Sequence, residues 1–114
     1  MEIIEEIQDD ISIYRLKGRL DSNTSQGLED KFFQAISGGS KRIIVDFKDL
    51  NYISSDGLRV ILKATKTIKR QDGQIMLCCM RDYVKEVFET AGIGSLLPMV
   101  ATMADSLRAF SPDL

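Results

Sequence analysis

Apolar and polar positions along the chain predict several β-strands. Residues 2–7 carry three isoleucines, and residues 11–17 alternate between apolar and polar side chains, as in a half-buried strand. Only Gln8 and the polar pair Asp9-Asp10 lie between them, so the two strands are expected to form an antiparallel hairpin. Residues 42–47 and 74–79 are short, mainly apolar runs, which are typical of buried strands.

Between and after these strands, apolar residues recur at the three- and four-residue spacing of an amphipathic helix. The pattern predicts four helical stripes: Leu28 to Ile36, Leu58 to Ile68, Val84 to Ala91 and Met103 to Phe110. Asn23 and Gln26 have the spacing of a capping box before the first helix. Lys48 to Ile53 is expected to be a connecting loop, and Leu96 to Val100 a short edge strand.

This order of elements predicts one α/β domain over residues 1–110, followed by a short C-terminal tail at residues 111–114. Strands that are separated by helices pair in parallel through right-handed crossovers, whereas the first hairpin makes the sheet mixed. We therefore expect four to five strands, with about four helices mainly on one face.

The composition of the chain narrows the classes of function that it can have. The formal net charge of −2 disfavours direct nucleic-acid binding, which requires a basic face. No apolar run approaches the roughly 20 residues of a membrane span, and the acidic N-terminus is unlike a secretory signal, so a cytoplasmic protein is expected. The chain has no histidine, the commonest general base and metal ligand. The sequence therefore predicts a protein that is not an enzyme, with no catalytic residues, cofactor or metal site.

The two cysteines, Cys78 and Cys79, are adjacent in a predicted strand. Successive strand residues point to opposite faces, which places their sulfurs poorly for a mutual disulfide. Both are expected to be free and to pack as small apolar side chains in a reducing compartment.

Two strand-to-helix junctions are unusually polar, Gly18 to Thr24 and Ile53 to Leu58. Ligands of open α/β sheets favour the carboxyl ends of the strands. The second junction also opens a helix, whose free N–H groups and dipole tolerate negative charge. These junctions are the candidate functional edge.

The segment Asp46 to Leu62 resembles the signature of the STAS-domain anti-sigma-factor antagonists of bacteria. Gly18 to Asp21 is similar to an earlier element of that family, and Ala91 to Ile93 to its closing turn. The resemblance runs in order along nearly the whole chain. It implies a regulator of transcription that acts by partner switching.

In this family, the unphosphorylated antagonist binds an anti-sigma factor that is also a serine kinase, and so releases the sigma factor. Phosphorylation then separates the pair, and the resemblance implies that a PP2C-type phosphatase resets the cycle. By alignment, the resemblance implies that the acceptor is Ser55. It implies a partner-binding edge formed by Asp21, Ser22, Asn23, Ser54, Ser55, Asp56 and Gly57.

Alternatives remain at this point. Ser55 could serve only as a helix N-cap, as serine often does before a helix. Asp56 stands where the family usually has a small residue, which keeps open a STAS-type scaffold that is not regulated by phosphorylation. Asp46 with Asp9-Asp10 superficially fits the acidic pocket of a receiver domain, a different phosphorylation switch. A small enzyme is disfavoured, because the chain has no histidine and no phosphate-cradling glycine loop.

Overall fold

The computed structural model describes residues 1–110; the predicted tail at 111–114 lies outside the described residues. Five strands form one sheet in the order β1-β2-β3-β4-β5. The strands are β1 (Glu2–Gln8), β2 (Ile11–Leu20), β3 (Arg42–Ile53), β4 (Gln74–Cys78) and β5 (Met99–Val100). β1 pairs antiparallel with β2, and the remaining neighbours are parallel, which confirms the predicted mixed sheet.

Four α-helices connect or follow the strands: α1 (Ser25–Ser37), α2 (Ser55–Lys69), α3 (Asp82–Thr90) and α4 (Met103–Phe110). The first three bury their apolar stripes against one face of the sheet, around Phe32, Phe47 and Phe88. α4 covers the opposite face through Phe110, Met103 and Leu107. The helices therefore lie mainly on one face, as predicted, with the last helix as the exception. Within residues 1–110, no helix combines the length and apolarity that a membrane crossing requires.

β3 is longer than predicted. Lys48 to Ile53 continues the strand instead of forming a loop, and it pairs with the second half of β2 up to Leu20. The pairing register shifts on both sides of Lys17-Gly18, and Gly18 has a φ of +106° that favours glycine. Such irregularities disturb strict alternation, which is why the sequence pattern did not show this part of the strand.

The predicted capping box is also wrong. α1 begins at Ser25 with Thr24 in the cap position, and Asn23 lies one residue too early. The Gln26 amide donates to Glu29 and Asp30 on the helix surface instead of reaching back to the cap. Gly38 is the C-cap residue of this helix.

Candidate functional site

Ser54 fixes the start of α2. Its backbone is extended, and its Oγ accepts a hydrogen bond from the Gly57 N–H at 3.4 Å. Its own N–H donates to the Leu20 carbonyl, at the end of β2, at 2.9 Å. Ser54 is therefore the helix cap, and the N-cap role considered for Ser55 belongs to its neighbour.

Ser55 is the first residue of α2, and it is exposed. The cap is provided by Ser54, so the Ser55 hydroxyl is not needed to begin the helix. It lies among the first N–H groups of α2, which have no partners inside the helix and carry the positive end of its dipole. A negative group attached to this hydroxyl would meet a favourable backbone field.

Gly57 brings the α2 terminus close to the sheet. The residue is buried, and a Cβ added there would lie 2.7 Å from the Leu20 Cγ and 2.9 Å from the Ile53 Cγ1. These separations are too short for a real side chain. Glycine is thus required by the packing of α2 on the ends of β2 and β3, and this packing sets the position of Ser55.

Asp56 is partly exposed and pairs with Arg59 one turn later, with 3.3 Å between the Asp56 Oδ1 and an Arg59 guanidinium nitrogen. An exposed pair of this kind adds little to stability. The pair matters locally, because it places the cation of Arg59 beside the Asp56 carboxylate, next to Ser55.

Asp21 lies in the turn between β2 and α1, and the turn satisfies its carboxylate. The Asn23 N–H donates to Asp21 Oδ1 at 3.0 Å, and the Thr24 hydroxyl lies 3.3 Å from the same oxygen. The Asn23 backbone bond, followed by those of Thr24 and the charge of Arg19, lowers the pKa of Asp21. Ser22 and Asn23 are exposed.

The two predicted junctions meet at one edge of the sheet. Leu20 pairs with Ile53, so the Asp21 turn and the α2 terminus follow neighbouring strand ends. The Arg19 guanidinium also stacks on the Tyr52 ring at 4.1 Å across these strands. The structure thereby places all seven predicted partner-binding residues on or next to this edge.

The first turn of α2 also faces α3, which the sequence pattern did not indicate as part of the site. Ser55 and Leu58 line a shallow groove of about 430 Å³ with Tyr83, Val87 and Thr90. Tyr83 is 47% exposed although it is a large aromatic residue. Its position outside the buried stripe of Val84 and Phe88 was the available signal, since an aromatic side chain off the stripe faces solvent or a partner.

Arg81 holds the beginning of α3 against β3. Its Nε donates to the Lys48 carbonyl at 2.8 Å, and another guanidinium nitrogen donates to Asn51 Oδ1 and to the Tyr83 hydroxyl, each at 3.1 Å. The Tyr83 ring is thus oriented beside the groove by contacts with a strand.

The acidic pocket of the receiver-domain alternative is not formed within residues 1–110. Asp10 pairs with Arg42 at the beginning of β3, at 3.5 Å. Asp46 lies further along β3 and pairs with Arg15 at 3.1 Å. The acidic residues are therefore separated along the strand, and each faces a cation.

Comparison with known proteins gives a consistent result. The model of the STAS domain family matches residues 2–106. BtrV of Bordetella bronchiseptica, named as a "putative anti-sigma factor antagonist", is 33% identical over 106 residues, which cover 93% of this chain and 91% of BtrV.

Two solved structures share the fold at lower identity. An anti-sigma factor antagonist from Mycobacterium paratuberculosis superposes with a TM-score of 0.87 at 17% identity, covering 95% of this chain and 92% of that one. The Bacillus cell fate determinant SpoIIAA, in its phosphorylated form, superposes with a TM-score of 0.75 at 22% identity, covering 96% and 99%.

Proposed function

Because this chain belongs to the STAS domain family, we propose that it is an anti-sigma-factor antagonist switched by phosphorylation of Ser55. In its unphosphorylated state it binds an anti-sigma factor that is also a serine kinase, and sigma factor is released. A PP2C-type phosphatase would restore the binding state. The observation that carries this proposal is the exposed Ser55 at the first position of α2, beside a cap that Ser54 already provides.

The relatives support the proposal at two levels. BtrV carries the name of an anti-sigma factor antagonist, and the likeness to it extends over nearly both chains. SpoIIAA has been solved in a phosphorylated form, so a protein of this fold accepts a phosphoryl group.

The proposed docking surface consists of the Asp21 turn, the first turn of α2 and the groove beside α3. Leu58, Tyr83 and Val87 offer apolar contact next to the Ser55 hydroxyl. Exposed aromatic residues are enriched in protein interfaces. The same surface therefore presents both the Ser55 hydroxyl and the apolar contacts to the partner, which is also the kinase.

The charge of a phosphoryl group explains the switch. It adds about −1.5 to −2 charges, which a helix N-terminus favours by roughly 0.3–1 kcal/mol. Burying an unpaired charge in an interface costs several kcal/mol, and every ~1.4 kcal/mol weakens binding tenfold. Free antagonist thus tolerates the modification, whereas the complex does not.

Asp56 need not prevent this reaction. Arg59 pairs with its carboxylate at 3.3 Å, which reduces the repulsion between Asp56 and an incoming nucleotide phosphate. We expect Asp56 to tune the rate of phosphorylation or the choice of kinase. Replacing Asp56 by alanine should accelerate modification of Ser55, as measured by phosphate incorporation.

The test uses purified anti-sigma-factor serine kinases from the source organism, with wild type, Ser55→Ala and Ser55→Asp. Wild type and Ser55→Ala should bind the cognate kinase, and Ser55→Asp should bind at least about tenfold more weakly. With ATP, mass spectrometry should find phosphate on wild-type Ser55, and none on Ser55→Ala.

Ser95→Asp is the matched control, because Ser95 is exposed, lies in the turn before β5 and does not line the groove beside Ser55. It should bind like wild type. Equal binding by Ser55→Asp, together with unmodified Ser55, would favour a STAS-type scaffold that phosphorylation does not regulate.

A further inference from the structure

The backbone at the end of β4 brings two thiols together. β4 ends at Cys78, and Cys79 has a φ of +64°, in the left-handed region that residues other than glycine seldom adopt. Strict alternation along a strand would have placed the two side chains on opposite faces, as the sequence pattern predicted. Instead, the two Sγ atoms are 3.4 Å apart and both residues are free cysteines. Backbone strain of this kind is concentrated at functional sites of proteins.

A carboxylate completes the cluster. Asp46 of β3 pairs in register with Cys78, and it is almost fully buried. One carboxylate oxygen and the two sulfurs all lie within 4.8 Å of one another. Thiolates and carboxylates are both ligands of zinc-like cations.

We propose that Cys78, Cys79 and Asp46 form a binding site for a thiophilic divalent metal ion of the zinc class. Two sulfurs bound tetrahedrally to one zinc ion, at ~2.3 Å each, lie about 3.8 Å apart. The observed separation of 3.4 Å therefore needs to open by only a few tenths of an ångström. Cys79 is only partly buried, so an ion can approach from its side, and a water molecule can take the fourth position.

Helix α4 packs beside the two cysteines. Met103, Leu107 and Phe110 of this helix belong to the same apolar cluster as Cys78 and Cys79. A bound ion would therefore stabilise the packing of α4 on the sheet.

The charges at the site are largely compensated. Binding releases both thiol protons to solvent, because zinc-like ions are held by thiolates. The two thiolates and Asp46 then face the divalent ion and Arg15, and Arg15 also pairs with the exposed Glu6 at 2.6 Å. This compensation lowers the cost of burying the thiolates.

Asp46 remains available despite its existing partners. Arg15 donates to its Oδ2 at 3.1 Å, and the Lys48 N–H donates to its Oδ1 at 2.9 Å. An ionised carboxylate has about four lone-pair sites, so each oxygen can accept one hydrogen bond and still coordinate. These contacts hold the carboxylate in place beside the sulfurs.

The test titrates the reduced, chelator-treated full chain with Cd(II), and follows thiolate-to-metal charge-transfer absorption in the ultraviolet. Zn(II) affinity follows from competition with a chromophoric chelator. Wild type should bind one ion, and thermal unfolding should shift upward with the ion, since it binds the folded state. Cys79→Ser should weaken binding at least about a hundredfold, and Asp46→Asn at least about tenfold.

Asp46→Asn is the decisive variant, because adjacent cysteines can bind an ion even in an unfolded chain. Asp46 is distant in sequence, and only the fold brings it to the sulfurs. Asp49→Asn, an exposed position of the same strand, is the matched control and should bind like wild type. Circular dichroism checks that each variant is folded.

Equal affinity of wild type and folded Asp46→Asn would overturn the proposal, because the ion would then be held by the sequence-local dithiol alone. Absence of charge-transfer absorption in wild type would overturn it as well. Neither result tests the proposed phosphorylation of Ser55. Ser55 follows the carboxyl end of β3, on a helix that covers the opposite face of the sheet.

Discussion

Helices α1 and α2 begin with similar residues that the fold uses differently. Thr24 to Leu28 and Ser54 to Leu58 both read hydroxyl residue, serine, variable residue, glycine, leucine. Ser25 is only 8% exposed, whereas Ser55 is exposed. Local sequence therefore does not decide which serine is accessible for modification; the approach of each helix to the sheet does.

The cap residues differ in the same way. The Thr24 hydroxyl donates to the Arg19 carbonyl at 2.8 Å and accepts from the Asp21 N–H at 2.9 Å, so it stabilises the preceding turn and not α1. The Ser54 hydroxyl accepts from its own helix at Gly57. The hydroxyl before α1 thus stabilises the preceding turn, whereas the hydroxyl before α2 caps its own helix and leaves Ser55 exposed.

The largest expected effect comes from the two glycines. Gly57→Ala should destabilise the protein by about 2–4 kcal/mol, because the new Cβ would overlap Leu20 and Ile53 at the ends of two strands. Gly27→Ala, at the same place in α1, meets nothing within 4 Å and should stabilise by roughly 0.5–1 kcal/mol. Chemical denaturation measures both. Equal effects of the two variants would show that α2 does not pack as closely as described.

Thr24→Val removes the hydroxyl but nearly keeps the shape. We expect a loss of about 1–2 kcal/mol in the free energy of unfolding, because the Asp21 N–H and the Arg19 carbonyl both lose a partner. Thr67→Val is the control, since the Thr67 hydroxyl donates to the Lys63 carbonyl on an exposed helix surface, and it should change stability by less than about 0.5 kcal/mol. A smaller loss for Thr24 than for Thr67 would contradict this account of the turn.

Ser54→Ala and Ser55→Ala make the same chemical change at adjacent positions. Ser54→Ala should cost about 0.5–1 kcal/mol, because the N-cap bond is lost. Ser55→Ala should stay within about 0.5 kcal/mol of wild type, because Ser55 does not cap the helix. Thermal unfolding of both variants compares them, and the reverse order would assign the cap to Ser55.

The smallest effect concerns the pH dependence of the Asp21 turn. The Asn23 N–H and the Thr24 bonds lower the pKa of Asp21 in the folded state below its unfolded value of about 3.9. Its contribution to stability is therefore present above that unfolded value, and is lost as the pH falls through the folded pKa. NMR titration of the Asp21 carboxyl should show the lowered pKa, and Thr24→Val should raise it part of the way. An unchanged pKa in that variant would remove Thr24 from the cause.

The sequence predicted the fold well where periodicity was regular. The first hairpin, the four helical stripes and the parallel order follow from apolar spacing, because each buried stripe needs a surface to cover. The second half of β3 was missed, since the shifted register beside Gly18 breaks alternation. The positive φ of Cys79 was equally invisible, because nothing in a Cys-Cys pair marks the end of a strand.

The residues of the candidate site could also be predicted only in part from the sequence. Ser54 to Gly57 stood out through the resemblance, and the pairing of Leu20 with Ile53 agrees with the grouping of the two junctions. Whether Ser54 or Ser55 caps α2 depends on one hydrogen bond, which sequence cannot distinguish. Tyr83 joins the same surface only through tertiary packing of α3 beside α2.

The sheet order has a consequence for solubility in the crowded cell. β1 and β5 are the outer strands, and an uncovered outer strand can recruit another chain by backbone hydrogen bonding. β5 has only two residues, too few for a stable addition. β1 is longer and exposes Ile7, but Glu2, Glu5 and Glu6 place charged side chains along it, with Glu5 paired to Lys31 and Glu6 to Arg15. Charged side chains on an outer strand hinder the edge-to-edge approach of a second copy. The charged side chains of β1 thereby oppose self-assembly into extended sheets.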